Sequence, residues 1–209
     1  RYFIMKKNKS SKNWIINQHR DQYFKQAKSS GFRSRSAFKL LEINNKFNFF
    51  KKCKTVIDLG SYPGGWSQII KKNIKNCKIL SVDLKKMEKI DGVDFICCDF
   101  RKDESKKRIL SLIGTKADAV VSDMAANTTG NKDLDCIRTN ALCAEVIEFS
   151  RFILKKNGVV ISKLFNGTDF LEVKKLAESK FQKVNFFKPE SSRDYSKETY
   201  IHCVGIKTL

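Results

Sequence analysis

Residues Asp58-Leu59-Gly60-Ser61-Tyr62-Pro63-Gly64-Gly65-Trp66-Ser67-Gln68 decide how this chain is read. The apolar run Thr55-Val56-Ile57 precedes them, and a segment with helical patterning, 65–75, follows. A strand that passes through a glycine turn into a helix start lets backbone approach a small ligand, because glycine accepts positive φ and has no Cβ in the way. The spacing is not G-x-G-x-x-G. Tyr62 stands where a dinucleotide site needs the glycine that admits a pyrophosphate. A ligand without phosphates fits this turn better, and S-adenosylmethionine (SAM) is the expected one.

Outward from the turn, short apolar runs alternate with helical segments. Strands are expected at 55–59, 78–83, 94–98, 118–123, 158–164, 182–187 and 199–206, and helices over 65–75, 103–113, 136–155 and 169–180. Asn157-Gly158 reads as a helix stop and Asp169 as an N-cap. This alternation builds parallel βαβ units in an open α/β sheet with helices on both faces. Nothing helical separates the last two runs, so they form a hairpin and place one antiparallel strand in the sheet. The expectation is a single Rossmann-like domain with a seven-stranded, mostly parallel sheet over 51–209. A basic helical extension over 1–50 precedes it. There Asn13 to Lys28 and Ser34 to Phe47 read as helices, split by Ser29-Ser30-Gly31, with Phe38, Leu41 and Ile43 available for packing.

In open α/β sheets the ligand lies beyond the carboxyl ends of the strands. Charged residues recur at those ends. Asp58 stands inside the end of the first strand and Asp83 ends the second, 19 residues after Gly64, the spacing of a carboxylate that accepts ribose hydroxyl hydrogen bonds. Asp99 ends the third and is placed to meet an adenine amino group. Asp123 ends the fourth and Lys163 the fifth. Any one of these alone reads as a helix cap or a solvated turn; their succession does not.

The charge is strongly biased. Residues 1–53 carry 14 Lys/Arg against 2 Asp/Glu, so +12 of the net +20 lies in the first quarter of the chain. A polyanionic partner is the natural reading. Lys6, Lys7, Lys9 and Lys12 are candidate phosphate contacts, and Tyr2, Phe3, Trp14, Tyr23 and Phe24 lie among them as candidate stacking groups. For Trp14 and Phe24 packing onto the domain is the stronger reading. The seven cysteines are odd in number and include no C-x-x-C, and only two histidines occur. Neither a disulfide framework nor a metal site is expected, and the compartment is expected to be reducing. His19 reads as a surface residue and His202 as a structural one. No apolar run reaches membrane-spanning length.

The sequence resembles the FtsJ/RrmJ family of ribosomal RNA 2′-O-ribose methyltransferases. The resemblance runs from about Trp14 to the C-terminus. It is carried by Gly31-Phe32-Arg33-Ser34-Arg35-Ser36-Ala37-Phe38-Lys39-Leu40, the PGGWSQ turn, Val82-Asp83-Leu84, Gly92-Val93-Asp94-Phe95 and Ser122-Asp123-Met124-Ala125-Ala126-Asn127. It continues through Lys163-Leu164-Phe165, Lys188-Pro189-Glu190-Ser191-Ser192-Arg193 and Ser196-Lys197-Glu198-Thr199-Tyr200. Ser61-Tyr62 and Ala126 depart from the family pattern beside the cofactor. The resemblance implies a catalytic tetrad of Lys39, Asp123, Lys163 and Glu198. It also implies a SAM site that includes Gly60, Pro63, Gly64, Gly65, Trp66, Asp83, Leu84, Asp99 and Asp123; Trp66 itself reads as a core or a cofactor-wall aromatic, the wall being favoured because it directly follows the glycines. RNA contacts are expected from Arg33, Arg35, Lys39 and Arg193.

The chemistry fits those residues. A sulfonium is already a good leaving group, so the enzyme must align the ribose hydroxyl and help remove its proton. Lys163 serves as base only if its pKa is depressed, with Lys39 as the cationic neighbour, Asp123 orienting the Lys163 ammonium and contacting SAM, and Glu198 either holding the substrate or tuning the lysines. The substrate that the resemblance implies is 23S-type RNA, with a uridine as target, within a large ribosomal subunit, and the enzyme is expected to be a monomer. A transfer RNA substrate, a catalytically inactive RNA-binding assembly factor and an NAD-dependent oxidoreductase are the competing readings. Absence of the middle glycine and of a substrate domain opposes the last; retention of the whole tetrad opposes the inactive factor. A mitochondrion or other organelle and a bacterial cytoplasm both suit the composition, and a chain that begins at Arg1 is compatible with a removed leader.

Overall fold

The computed structural model describes residues 21–207. The expectations for Lys6, Lys7, Lys9, Lys12, Tyr2, Phe3, Trp14, His19 and the start of the 13–28 helix lie outside the described residues. Within them, helix α1 spans Gln22–Ser29, capped by Asp21, whose carboxylate accepts from the Phe24 amide at 3.2 Å. Helix α2 spans Ser36–Phe47 and stops at Asn48, which takes a left-handed φ of 52°. Then come β1 (Thr55–Leu59), α3 (Gly65–Asn73), β2 (Lys78–Asp83), β3 (Asp94–Cys97), α4 (Asp103–Ile113) and β4 (Ala117–Ser122). Helix α5 (Lys132–Ile153), β5 (Leu154–Phe165), α6 (Phe170–Lys180), β6 (Phe181–Phe187) and β7 (Glu198–Ile206) complete the chain.

The seven strands form one sheet in the order β3-β2-β1-β4-β5-β7-β6. Strands β1 to β5 pair in parallel, and β7 runs antiparallel to both β5 and β6. The expected hairpin and its reversed strand are therefore present. Chain order reverses between β1 and β4, and this switch point opens a crevice at the carboxyl ends of the strands. Strand β1 shows why both faces are covered: all five of its residues are buried. Ile57 and Leu59 face a core filled by Ile109 and Ile113 of α4, by Val146 and Ile147 of α5 and by Val173 of α6. Val56 faces the other core, with Ala37, Leu40 and Ile43 of α2 and Ile69 and Ile70 of α3. Helix α2 is thus part of the domain's packing, and the boundary expected at residue 50 does not separate it.

Two local expectations are corrected. Helix α5 starts at Lys132, because the Asn131 side chain accepts from the amides of Asp133 and Leu134, and it ends at Ile153. Gly158 is consequently not a helix stop. It lies within β5, where pairing shifts between Ala117 and Ala119 of β4, and a Cβ at Gly158 would stand 2.9 Å from the Leu154 Cβ. Asp169 occupies the N-cap position of α6 but makes no capping bond. Its carboxylate instead accepts from the Asn140 side-chain amide at 2.9 Å, which ties α5 to the start of α6, while the same amide exchanges bonds with the Phe165 backbone at the end of β5.

Candidate active site

Beyond the carboxyl ends of β1, β2 and β4 lies an open cleft of about 610 Å³. Gly60, Asp83, Leu84, Asp99 and Asp123 all line it, together with Phe100, Met124 and Tyr62. The carboxylate of Asp83 is oriented from within the fold: it accepts from the Tyr62 amide at 2.8 Å and the Lys85 amide at 2.7 Å. Asp99 is held bidentately by Arg101 at 2.9 and 2.7 Å, which lowers its pKa. Apolar walls with a few fixed carboxylates are the make-up of a small-molecule site, and this one matches an adenosine group that offers hydroxyl and amino donors. The residues present therefore fit SAM.

The turn residues also serve the fold. Gly60 takes φ +72°, and a Cβ there would collide with the side chain of Met124. A Cβ on Gly65 would collide with Ser34. Pro63 offers its carbonyl to Arg33 at 3.2 Å. Trp66 is not a cofactor wall. Its indole is 2% exposed in the core beneath α2, donates to the Ser36 carbonyl at 2.8 Å and packs on Tyr200. The turn following the cleft therefore seats α2 as much as it shapes the ligand site.

The four expected catalytic residues meet beside the cleft, which Asp123 alone of them lines. Lys163 on β5 places its ammonium 2.6 Å from Asp123, which follows β4, and 3.2 Å from Glu198 at the start of β7. It also donates to the Asp123 carbonyl at 3.1 Å. Lys39 of α2 reaches the other oxygen of Glu198 at 2.6 Å. Strand pairing explains the assembly, since β4 and β7 flank β5 and bring Asp123 and Glu198 to either side of one lysine.

The electrostatics overturn one expectation. Burial pulls the Lys163 pKa down, but Asp123 and Glu198 outweigh it, and the result is raised rather than depressed. Lys39 is the lysine shifted downward, by burial and by the charge of Lys163. Burial opposes ionisation of Glu198, yet the two ammonium groups hold it at about 2. Lys39, Asp123, Lys163 and Glu198 are thus joined by close ion-pair contacts into one network.

Two members of this network escaped the sequence reading. Tyr200 is fully buried and donates its hydroxyl to Asp123 at 2.5 Å. It lies two residues beyond Glu198 and directly across from Lys163, so strand periodicity held the signal. Ser192 donates to Glu198 at 2.7 Å from the loop between β6 and β7.

The expected RNA-contacting arginines are largely engaged inside the protein. Arg33 donates to the carbonyls of Pro63, Glu88 and Lys89, at 3.2, 2.7 and 2.8 Å, and so pins the β2–β3 loop to the glycine turn. Arg35 pairs with Asp21 and donates to the Ser191 carbonyl. Arg193 remains 36% exposed, 3.6 Å from Asp21. His202 is structural, stacked on Phe47 with centroids 3.9 Å apart. Among the described residues no group of three or more metal-ligating side chains is found, and no helix is long and apolar enough to cross a membrane.

A switch-point crevice with a carboxylate at the end of β2, in a seven-stranded sheet whose β7 is reversed, defines the methyltransferase class. Residues 32–206 match the model of the FtsJ-like methyltransferase family. The chain is 49% identical over 199 residues to the ribosomal RNA large subunit methyltransferase E of Pelagibacter ubique, covering 95% of this chain and 98% of that protein. A solved Plasmodium falciparum protein described as a ribosomal RNA methyltransferase superposes with a TM-score of 0.75 at 32% identity, over 84% of this chain and 98% of its own. A Streptococcus mutans protein described as a methyltransferase, solved with SAH, shares the fold at a TM-score of 0.52 and 12% identity, over 79% of this chain and 97% of its own. The chain belongs to the FtsJ-like methyltransferase family.

Proposed function

We propose that this protein transfers a methyl group from SAM to a ribose 2′-hydroxyl of large-subunit ribosomal RNA. The observation that carries this reading is the convergence of Lys39, Lys163 and Glu198 on Asp123, which lines the cleft. Asp83 and Asp99 would hold the nucleoside of the cofactor, and Asp123 would face its reactive end. SAM supplies the electrophilic methyl and a positive sulfonium charge. The tetrad then has to align one hydroxyl and take its proton.

Lys163 is the proposed acceptor, and its proton must first be loosened. Two effects push that way. A sulfonium bound near Asp123 would draw on the carboxylate that holds the Lys163 proton, and burial already pulls the Lys163 pKa down. Glu198 holds both lysines in register, and Tyr200 holds Asp123. The relatives' substrate, named in their own descriptions, supports ribosomal RNA over transfer RNA.

The test is methyl transfer from labelled SAM to large ribosomal subunits purified from a host that lacks the modification, with transfer RNA as the parallel substrate. Label in the ribosomal RNA alone is the expected result. Label in transfer RNA alone would move the substrate to that class, and label in neither would remove the enzymatic reading.

A further inference from the structure

The loop between β6 and β7 carries a feature that the tetrad does not use. Tyr195 is 78% exposed, more than the other large hydrophobic residues exposed among those described. An aromatic ring left in water on a slack loop would need no explanation, but this loop is fastened. Lys188 donates to the Asp194 carbonyl at 3.3 Å and to the Ser196 carbonyl at 2.9 Å, so the residues on both sides of Tyr195 are gripped by one ammonium. The Ser196 amide closes a turn on the Arg193 carbonyl at 2.9 Å. Below the turn, Ser192 is bonded to Glu198, and Ser191 is bonded through its amide to Glu42 of α2. The ring is thereby presented outward from a braced turn, three residues before a catalytic carboxylate.

Its surroundings define what it suits. Arg193, two residues earlier, is part-exposed, and Lys197, two residues later, is 54% exposed. The turn sits at the carboxyl end of the sheet, because β7 enters opposite Phe165 at the end of β5. A flat aromatic face between cations beside a nucleotide-modifying site is the arrangement that single-stranded nucleic acid uses: the cations follow phosphates and the ring stacks on a base.

We infer that Tyr195 is a stacking platform for an unpaired base of the RNA next to the target ribose, and that it fixes the approach of that ribose to the tetrad. The inference rests on the proposed RNA substrate. It assigns Tyr195 a positioning role, separate from the chemistry. Stacking also ties binding to the tetrad, since a base that presses on the turn bears on Ser192 and through it on Glu198.

The experiment uses the full chain, saturated with S-adenosylhomocysteine, and a single-stranded RNA oligonucleotide that carries 2-aminopurine beside its target position. Affinity and fluorescence are read across a salt series for the wild type, Tyr195→Phe and Tyr195→Ala. Stacking predicts quenching in the wild type and in Tyr195→Phe. In Tyr195→Ala it predicts loss of the quench and a fall in affinity of about 5- to 100-fold. It also predicts an unchanged slope of affinity against salt, because no phosphate contact is removed. Wild-type affinity and quenching in Tyr195→Ala overturn the inference. So does a fall in affinity accompanied by a flatter salt slope, which would place the loss at Arg193 or Lys197. A wild-type protein that binds no oligonucleotide, while still binding the cofactor product, overturns the platform, whereas the proposed substrate stands or falls on methylation of the large subunits.

Discussion

Lys163 is 7% exposed and stands between two carboxylates, so the free protein holds it as an ammonium. A base role requires that proton to leave, and a purely electrostatic role does not. Lys163→Arg separates the two. A guanidinium can keep the pairs with Asp123 and Glu198, but it does not give up a proton near neutral pH. Single-turnover methylation by Lys163→Arg should fall by about 10²–10⁴-fold, the usual contribution of a positioned base, while calorimetric SAM affinity stays within a few fold. Near-normal turnover in that variant would leave Lys163 as a positioning charge. At this scale the sequence was most legible. Asp123 and Lys163 stood out as charged residues at successive strand ends, whereas Lys39, on a helix, and Glu198, at the start of a strand, were named only through the family resemblance. Tyr200 was hidden because an apolar-looking residue in a terminal strand reads as core, and it is core; only its hydroxyl reaches the site. The shift at Lys163 was beyond the sequence, because it depends on Asp123 and Glu198 arriving together from opposite neighbouring strands.

Among the elements, β7 does the most to unite fold and site, since Glu198, Tyr200 and His202 follow one another along one face. His202 is buried against Phe47 with its Nδ1 unpartnered, and burial lowers its pKa from 6.5 to about 4. A folded-state pKa below the unfolded one means that the contribution is whole above pH 6.5 and is lost as pH falls through about 4. Chemical-denaturation midpoints should therefore drop across that window, and His202→Phe, which keeps the ring stack, should drop less. Identical pH profiles would show that His202 is not a source of the acid loss. The elements themselves were legible where hydrophobic period and turn chemistry agreed, as in β1, α3 and the β6–β7 hairpin. They were misread at Gly158, which resembles a helix stop but sits in an irregular start to β5, where space beside Leu154 rather than positive φ calls for glycine. Trp66 was misplaced for a related reason. The helix after the turn points its first aromatic inward, under α2, and only the packing of a distant segment decides that.

For the whole molecule, +12 of the net charge of +20 lies before residue 54, ahead of the sheet in the sequence. RNA affinity should fall steeply with salt, because each phosphate contact releases a counterion. A chain without residues 1–12 should bind RNA more weakly and with a flatter slope while its SAM affinity is kept; the same slope in both chains would show that these lysines do not touch phosphate. The internal use of Arg33 and Arg35 sharpens this expectation, since much of their charge is spent on the protein's own carbonyls and on Asp21. The central claim is that the tetrad directs a methyl group to a ribose hydroxyl, and the position of the transferred methyl tests it most directly. Large subunits lacking the modification are incubated with methyl-labelled SAM, and the ribosomal RNA is hydrolysed in alkali. A 2′-O-methyl blocks cleavage of the adjoining phosphodiester, so the account predicts label in an alkali-resistant dinucleotide with the wild type and none with Lys163→Ala. Label recovered in a single nucleotide with a methylated base would contradict it.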